Sequence, residues 1–147
     1  MVRVLVTGMS GAGKSTLLAE LAARGFLTVD TDYDGWTLPN GLWDAHRMAA
    51  LLEQEPVCVS GTVENQGDFA FDHVVLLSAP LEVLLARLLA RTNSPYGKSA
   101  ADQAEVRRYV AEVEPLLRRA ADVELDGRAP IAELADIVEG YLVDHVG

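Results

Sequence analysis

The sequence predicts an α/β protein of three layers, in which a mostly parallel five-stranded sheet is held between helices. Three observations carry that reading. Short apolar, β-branched runs alternate with helix-forming runs five times along 147 residues. That order yields parallel strands joined by right-handed helical crossovers. The first run, "VRVLVT" (2–7), passes straight into a glycine-rich loop and then a helix-forming stretch. The fourth, "HVVLLSA" (73–79), is apolar at nearly every position, as strands covered on both faces are. Half the residues are hydrophobic, enough to fill one core, so the expectation is a single domain over residues 1–147.

The elements follow in order. "KSTLLAELAA" (14–23) is rich in helix formers, and Arg24-Gly25 stops it, because glycine readily takes the left-handed position after a helix. "FLTVD" (26–30) reads as a second strand, and "TDYDGWTLPNG" (31–41) as a turn-rich segment. The spacing predicts a helix over 42–55, with Leu42, Ala45, Met48 or Ala49, and Leu52 on one face and Pro56 as its end. "VCVS" (57–60) is the third strand and 61–71 a polar loop. After the fourth strand, Pro80 opens a helix over 81–92. A loop at 93–99 leads to a long amphipathic helix over 100–120, kinked at Pro115. "DVELD" (122–126) is the fifth strand, "GRAP" a turn, and 131–145 the last helix. In parallel sheets of this kind the ligand site lies beyond the C-terminal ends of the strands. Segments 8–15, 30–34, 60–66 and 78–80 meet that edge.

Twelve Lys and Arg face 22 Asp and Glu, a formal net charge of −10. That balance excludes generic binding of a nucleic-acid polymer, which needs cations to replace counterions. It leaves open a local phosphate site built from backbone N–H groups. The single cysteine, Cys58, cannot form an internal disulfide and sits in an apolar run; it reads as a buried strand residue. No secretory leader and no stretch of membrane-spanning length is visible, so a cytoplasmic location is the expectation, without membrane association.

"GMSGAGKS" (8–15) satisfies G-x-x-x-x-G-K-[ST] in full, with a strand before it and a helix after it. Small residues let the backbone curl until successive N–H groups point inward, and the helix N-terminus adds partial positive charge. Gly11, Ala12 and Gly13 form that curl. Lys14 can reach the β- and γ-phosphates, and the Ser15 hydroxyl is suited to Mg²⁺. Thr16 either contacts the α-phosphate or is simply a helix residue.

The next chemistry is acidic. "VDTDYDGW" puts Asp30, Asp32 and Asp34 just beyond the second strand. Phosphoryl transfer needs a cation to neutralise developing charge and a base to orient the nucleophile, and a carboxylate can serve either need. Aspartates also cap turns, so that role stays open, most of all for Asp34. A guanine-reading N-K-x-D segment is absent, which leans to ATP over GTP, and the third strand ends in Ser60 where a Walker B acid would stand.

The Walker A loop, the Asp30-Thr31-Asp32 segment and the arginine-bearing stretch 87–98 together resemble the shikimate kinase and gluconate kinase branch of the nucleoside-monophosphate-kinase-like P-loop family. The resemblance covers the whole chain in element order. It implies a P-loop NTPase fold with strand order 2-3-1-4-5, and ATP and Mg²⁺ as cofactors. It implies that Asp30 holds Mg²⁺ through water and that Asp32 accepts the proton of the acceptor hydroxyl. It also implies a lid at about 92–99 and an adenine-contacting turn at 126–130. Arg87 and Arg91, four residues apart, share a helix face toward that lid. Arg91, at the entry to the lid, is the stronger catalytic and nucleotide-binding candidate, with Lys98 adding charge on closure. A solvated basic face remains the other reading of Arg87, Arg91 and Lys98. Arg128 either stacks on the base or belongs to a plain turn.

The acceptor belongs to residues 32–66. Arg47 is the one arginine between Arg24 and Arg87. Tyr33, Trp36 and Trp43 offer aromatic faces, His46, Glu64, Asn65 and Gln66 offer hydrogen bonds, and Ser60-Gly61 follows the third strand. Asp32, Tyr33, Trp36 and Gly61 are the expected substrate contacts, with core packing as the other reading of both tryptophans. The expected acceptor is an uncharged or cationic hydroxyl compound: a nucleoside, a sugar or an amino-alcohol. Two function classes result. One is a kinase transferring the γ-phosphoryl group of ATP to that hydroxyl. The other is a nucleotide-binding ATPase module acting through a protein partner.

Overall fold

The computed structural model describes residues 2–92 and 94–143. Five strands, β1 (Arg3–Thr7), β2 (Leu27–Asp30), β3 (Val57–Ser60), β4 (His73–Ser78) and β5 (Val123–Asp126), form one sheet. Its order is β2-β3-β1-β4-β5, and every pairing is parallel. Among the described residues six α-helices flank the sheet: α1 (Lys14–Ala23), α2 (Ala45–Leu51), α3 (Leu81–Ala90), α4 (Ala100–Glu112), α5 (Glu114–Ala120) and α6 (Ile131–Leu142).

Strand alternation supplies two cores from one sheet. Val4, Val6 and Cys58 turn to one face, where Leu17 and Leu21 of α1 and Val138 and Leu142 of α6 cover them. Leu5, Val57 and Val59 turn to the other and meet Met48 and Leu51 of α2. Burial pushes the Cys58 thiol up to about 12, so it is an inert packing group. Parallel register aligns the strand ends: Val6 lies beside Ser60, Asp30 beside Ser60, and Ser78 beside Asp126. The polar residues that close these strands therefore share one edge. No helix among the described residues is long and apolar enough to cross a membrane.

Three elements depart from the sequence expectation. The helix expected over 42–55 is confined to Ala45–Leu51. Trp43 is taken into an isolated bridge with Thr37, and its backbone N–H donates to Asn65 Oδ1 at 3.0 Å. Asp44 then caps the helix by accepting from the Arg47 N–H at 3.2 Å. The buried side comprises Trp43, Met48, Leu51 and Leu52, while Ala45 and Ala49 are exposed. The long helix over 100–120 is broken at Val113 into α4 and α5 rather than kinked. Pro115, in the first turn of α5, has no N–H for the preceding turn. The last helix ends at Leu142, and residues 144 and 145 of the expected helix lie outside the described residues.

Trp43 is 1% exposed, with the rings of Phe69 and Phe71 centred 5.8 and 6.2 Å away. Of its two readings, core packing is the one observed. Trp43→Ala should lower unfolding free energy by about 3–5 kcal/mol, measured as a reduced denaturant midpoint.

Candidate active site

The loop after β1 runs from Gly8 to Gly13, and α1 starts at Lys14. Gly13 is the N-cap residue, with φ 105°, a left-handed conformation open to glycine. No side chain caps this helix. The N–H groups of Gly13, Lys14, Ser15 and Thr16 find no acceptor among the described residues. Unpartnered donors and the helix dipole at one point make an anion cradle, so the residues present fit a phosphate chain. The Lys14 ammonium folds back and donates to the Gly8 and Met9 carbonyls at 2.6 and 3.2 Å. Burial lowers its pKa to about 8, with Arg91 adding to that effect and Asp32 and Asp30 opposing it.

β2 delivers the acids to the same place. Ser15 Oγ donates to Asp30 Oδ2 at 2.5 Å, and the Asp32 N–H donates to Asp30 Oδ1 at 3.1 Å. Between them Thr31 points inward and bonds the Ser60 carbonyl at 2.8 Å. That inward residue is why the two carboxylates lie on one side. Ser15 and Asp30 are hard oxygen donors and could hold a divalent cation together with phosphate oxygens. Asp32 is held above the usual carboxylate range, first by partial removal from water and then by Asp30; Lys14 and Arg91 pull the other way. Lys14, Ser15, Asp30, Asp32 and Arg91 thus form one electrostatic group.

Arg87 lies elsewhere than expected. Its guanidinium donates to the carbonyls of Gly11 (3.1 Å), Ala12 (3.2 Å) and Gly127 (2.7 Å). Placed one helical turn before Arg91, it comes level with the loop and braces its outer side. Gly127 is pressed against that loop: a Cβ there would stand 2.5 Å from the Ala12 carbonyl oxygen. Arg128, beside it, is exposed and pairs with Asp126 at 2.8 Å, on the rim of a cavity of about 550 Å³ that includes Ser78 and Glu114. Lys98 donates to the Arg91 carbonyl. Residue 93 of the expected lid lies outside the described residues.

On the acceptor side, Tyr33, Asp34, Trp36 and Arg47 line a cavity of about 650 Å³ that reaches Asp30. The Arg47 guanidinium lies 3.9 Å above the Trp36 ring and donates to the Asp34 carbonyl at 2.6 Å. Tyr33 is 58% exposed. Gly61 does not open into this cavity: it is buried against Thr31 and Trp43, and its N–H donates to the Val6 carbonyl at 3.2 Å. A Cβ at Gly61 would stand 2.2 Å from Thr31 Oγ1 and 3.0 Å from Trp43 Cζ2, so its bare backbone makes room for both side chains, in place of the substrate contact expected there. His46 and Glu64 are exposed. Asn65 and Gln66 spend their amides on the protein, on Trp43, Val63 and Thr7. Sequence reasoning missed Thr62, whose hydroxyl bonds Thr7 and both polar groups of the Gly8 backbone. Nothing in its local sequence marks it.

No family model matches the chain. It is 30% identical to a shikimate kinase of Nitrobacter winogradskyi, over 95% of this chain and 72% of that protein. Among solved structures, a shikimate kinase from Acinetobacter baumannii in complex with shikimate superposes with a TM-score of 0.69 at 20% identity, covering 95% of this chain and 92% of that one. A deoxyadenosine kinase from M. mycoides with bound dATP gives a TM-score of 0.67 at 13% identity, covering 98% and 100%. A gluconokinase from Sinorhizobium meliloti gives 0.59 at 23% identity, covering 96% and 91%.

The three carbonyl bonds of Arg87 use the fork of a guanidinium, which a lysine cannot reproduce. Arg87→Met should destabilise the nucleotide-free protein by about 2 kcal/mol, and Arg87→Lys should recover only part of that in the same thermal unfolding measurement.

Proposed function

The chain belongs to the small P-loop kinase family, and on that premise we propose that it moves the γ-phosphoryl group of ATP to a hydroxyl of a small molecule. Membership makes it a nucleotide-binding phosphotransferase. The observation that carries the finer reading is the convergence of Lys14, the Ser15–Asp30 pair, Asp32 and Arg91 at one sheet edge.

In this reading, the N–H groups of Gly13 to Thr16, with Gly11 and Ala12 shaping the curl, hold the phosphate chain. Lys14 leaves the Gly8 and Met9 carbonyls for the β- and γ-phosphates. Ser15 and Asp30 hold Mg²⁺, which when bound neutralises charge on those phosphates. Asp32 accepts the proton of the attacking hydroxyl; its N–H is bonded to Asp30, which itself lines the cavity walled by Tyr33 and Trp36. Arg91 stabilises charge on the transferring group. Arg128 contacts the base, and Arg87 acts on the nucleotide by fixing the loop. The relatives named above act on shikimate, gluconate and deoxyadenosine, all hydroxyl acceptors. The polar, aromatic-walled cavity supports an acceptor of nucleoside, sugar or amino-alcohol type.

The test is to incubate the protein with ATP, Mg²⁺ and a panel of such acceptors and follow products by phosphorus NMR. A new phosphomonoester is expected; ADP release that no acceptor accelerates would leave an ATPase instead. Asp32→Asn should keep nucleotide affinity and lower transfer by about 10²–10⁴-fold. Wild-type transfer rates in that variant would remove Asp32 from its role.

A further inference from the structure

The loop that follows β3 reaches across to the phosphate loop. Thr62 Oγ1 lies 2.9 Å from Thr7 Oγ1, accepts from the Gly8 N–H at 3.2 Å and donates to the Gly8 carbonyl at 2.9 Å. One hydroxyl has one proton and two lone pairs. With its proton on the Gly8 carbonyl, Thr62 must accept from Thr7, so the Thr7 proton points to Thr62. Thr7 in turn accepts from Gln66 Nε2 at 3.4 Å, and Gln66 Oε1 accepts from the Val63 N–H at 3.0 Å. With the Thr62 proton so placed, each hydroxyl and amide in this chain has a partner. The chain ends on the Gly8 carbonyl, the same oxygen that takes the Lys14 ammonium at 2.6 Å.

We propose that Thr62 is a positioning residue for nucleotide binding: its hydroxyl locks the Gly8 backbone from both sides and thereby sets the rest position of Lys14 and the curl of the phosphate loop. The proposal rests on the reading of residues 8–16 as the nucleotide site. Glycine-rich backbone is the most costly to order. A loop already held in its bound shape spares the ligand that ordering. The sheet contributes no acid at this point, since β3 ends in Ser60, and the hydroxyl two residues later makes the contact with the loop. Without it, the Gly8 N–H loses its acceptor, the carbonyl keeps Lys14 as its side-chain donor, and the nucleotide must order the loop itself.

The test is titration of the fluorescent analogue mant-ADP with Mg²⁺, well below the melting temperature. Thr62→Val and Thr62→Ala remove the hydroxyl, and Thr62→Ser keeps it. Val and Ala should weaken binding about tenfold, the loss of two neutral hydrogen bonds, and Ser should stay within about twofold of wild type. Ala serves where Val does not fold. Leu51→Ala, a change in α2 within the core cluster that holds no residue of the loop, should lower the melting temperature without changing affinity. That contrast separates positioning from general stability. Wild-type affinity in the Val or Ala variant, or a Ser variant as weak as either, overturns the proposal. Lys14→Ala distinguishes the two levels of failure. If Lys14→Ala abolishes binding while Thr62→Ala does not, only the Thr62 proposal falls. If the wild-type protein does not bind mant-ADP, the nucleotide-site reading falls and takes the proposal with it.

Discussion

Parallel hydrogen bonding of β1 to β3 on one side and to β4 on the other is the constraint on which the rest of this molecule depends. It buries β1 on both faces, with Val4, Leu5 and Val6 at most 1% exposed. It also leaves the strand a single exit, at Thr7, between two neighbours whose ends are aligned with it. The loop that follows must therefore turn sharply, over Ser60 and Thr62 on one side and Ser78 on the other. Side-chain alternation on this short strand divides the apolar residues between two cores, so α1 and α6 cannot exchange places with α2 without inverting its register. The chemistry at the edge is a consequence of that packing.

How far the site was legible depended on whether a residue's role is local. The Walker A loop carries its meaning in spacing alone, and the D-x-D pair drew its expected roles from the family resemblance. In the structure, Ser15 and Asp30 meet because a strand end and a helix start are adjacent in a parallel sheet. The order of the sheet came from the family resemblance, whereas the positions of the strands were readable from runs of β-branched residues. Roles fixed by distant partners were not. Arg87 has the same spacing as Arg91, but its carbonyl partners come from residues 76, 75 and 40 positions away. Thr62 has no motif, and its partners lie 54 and 55 positions away. The helix over 42–55 was overlong because composition favoured it, whereas Trp43 gains more from entering the core beside Phe69 and Phe71 than from helical geometry. The break at Val113 was half legible: Pro115 signals an interruption but not its sharpness.

Charge is arranged so that like and unlike groups restrain each other. Asp30 and Asp32 both oppose the lowering of the Lys14 pKa, while Arg91 lowers the pKa of Lys14 and of Asp32 alike, disfavouring the charged amine and favouring the charged carboxylate. The protein as a whole carries −10, yet this edge gathers two cations and the open end of a helix. A strongly acidic chain can host a polyanion here because the attraction is short-ranged and built from backbone donors, while the surplus acids lie on solvent-facing surfaces where salt screens them.

The brace formed by Arg87 has a temporal side. It joins Gly11 and Ala12, near the start of the chain, to Gly127, near its end, through a residue from the middle. A chain emerging from the ribosome carries the glycine loop well before Arg87 and Gly127 have been made. It lacks the strap across that loop until β5 and the turn after it have been made. The braced loop thus becomes available only after Gly127 has been added, and a chain made only to Arg87 would display the motif without the strap that holds its shape.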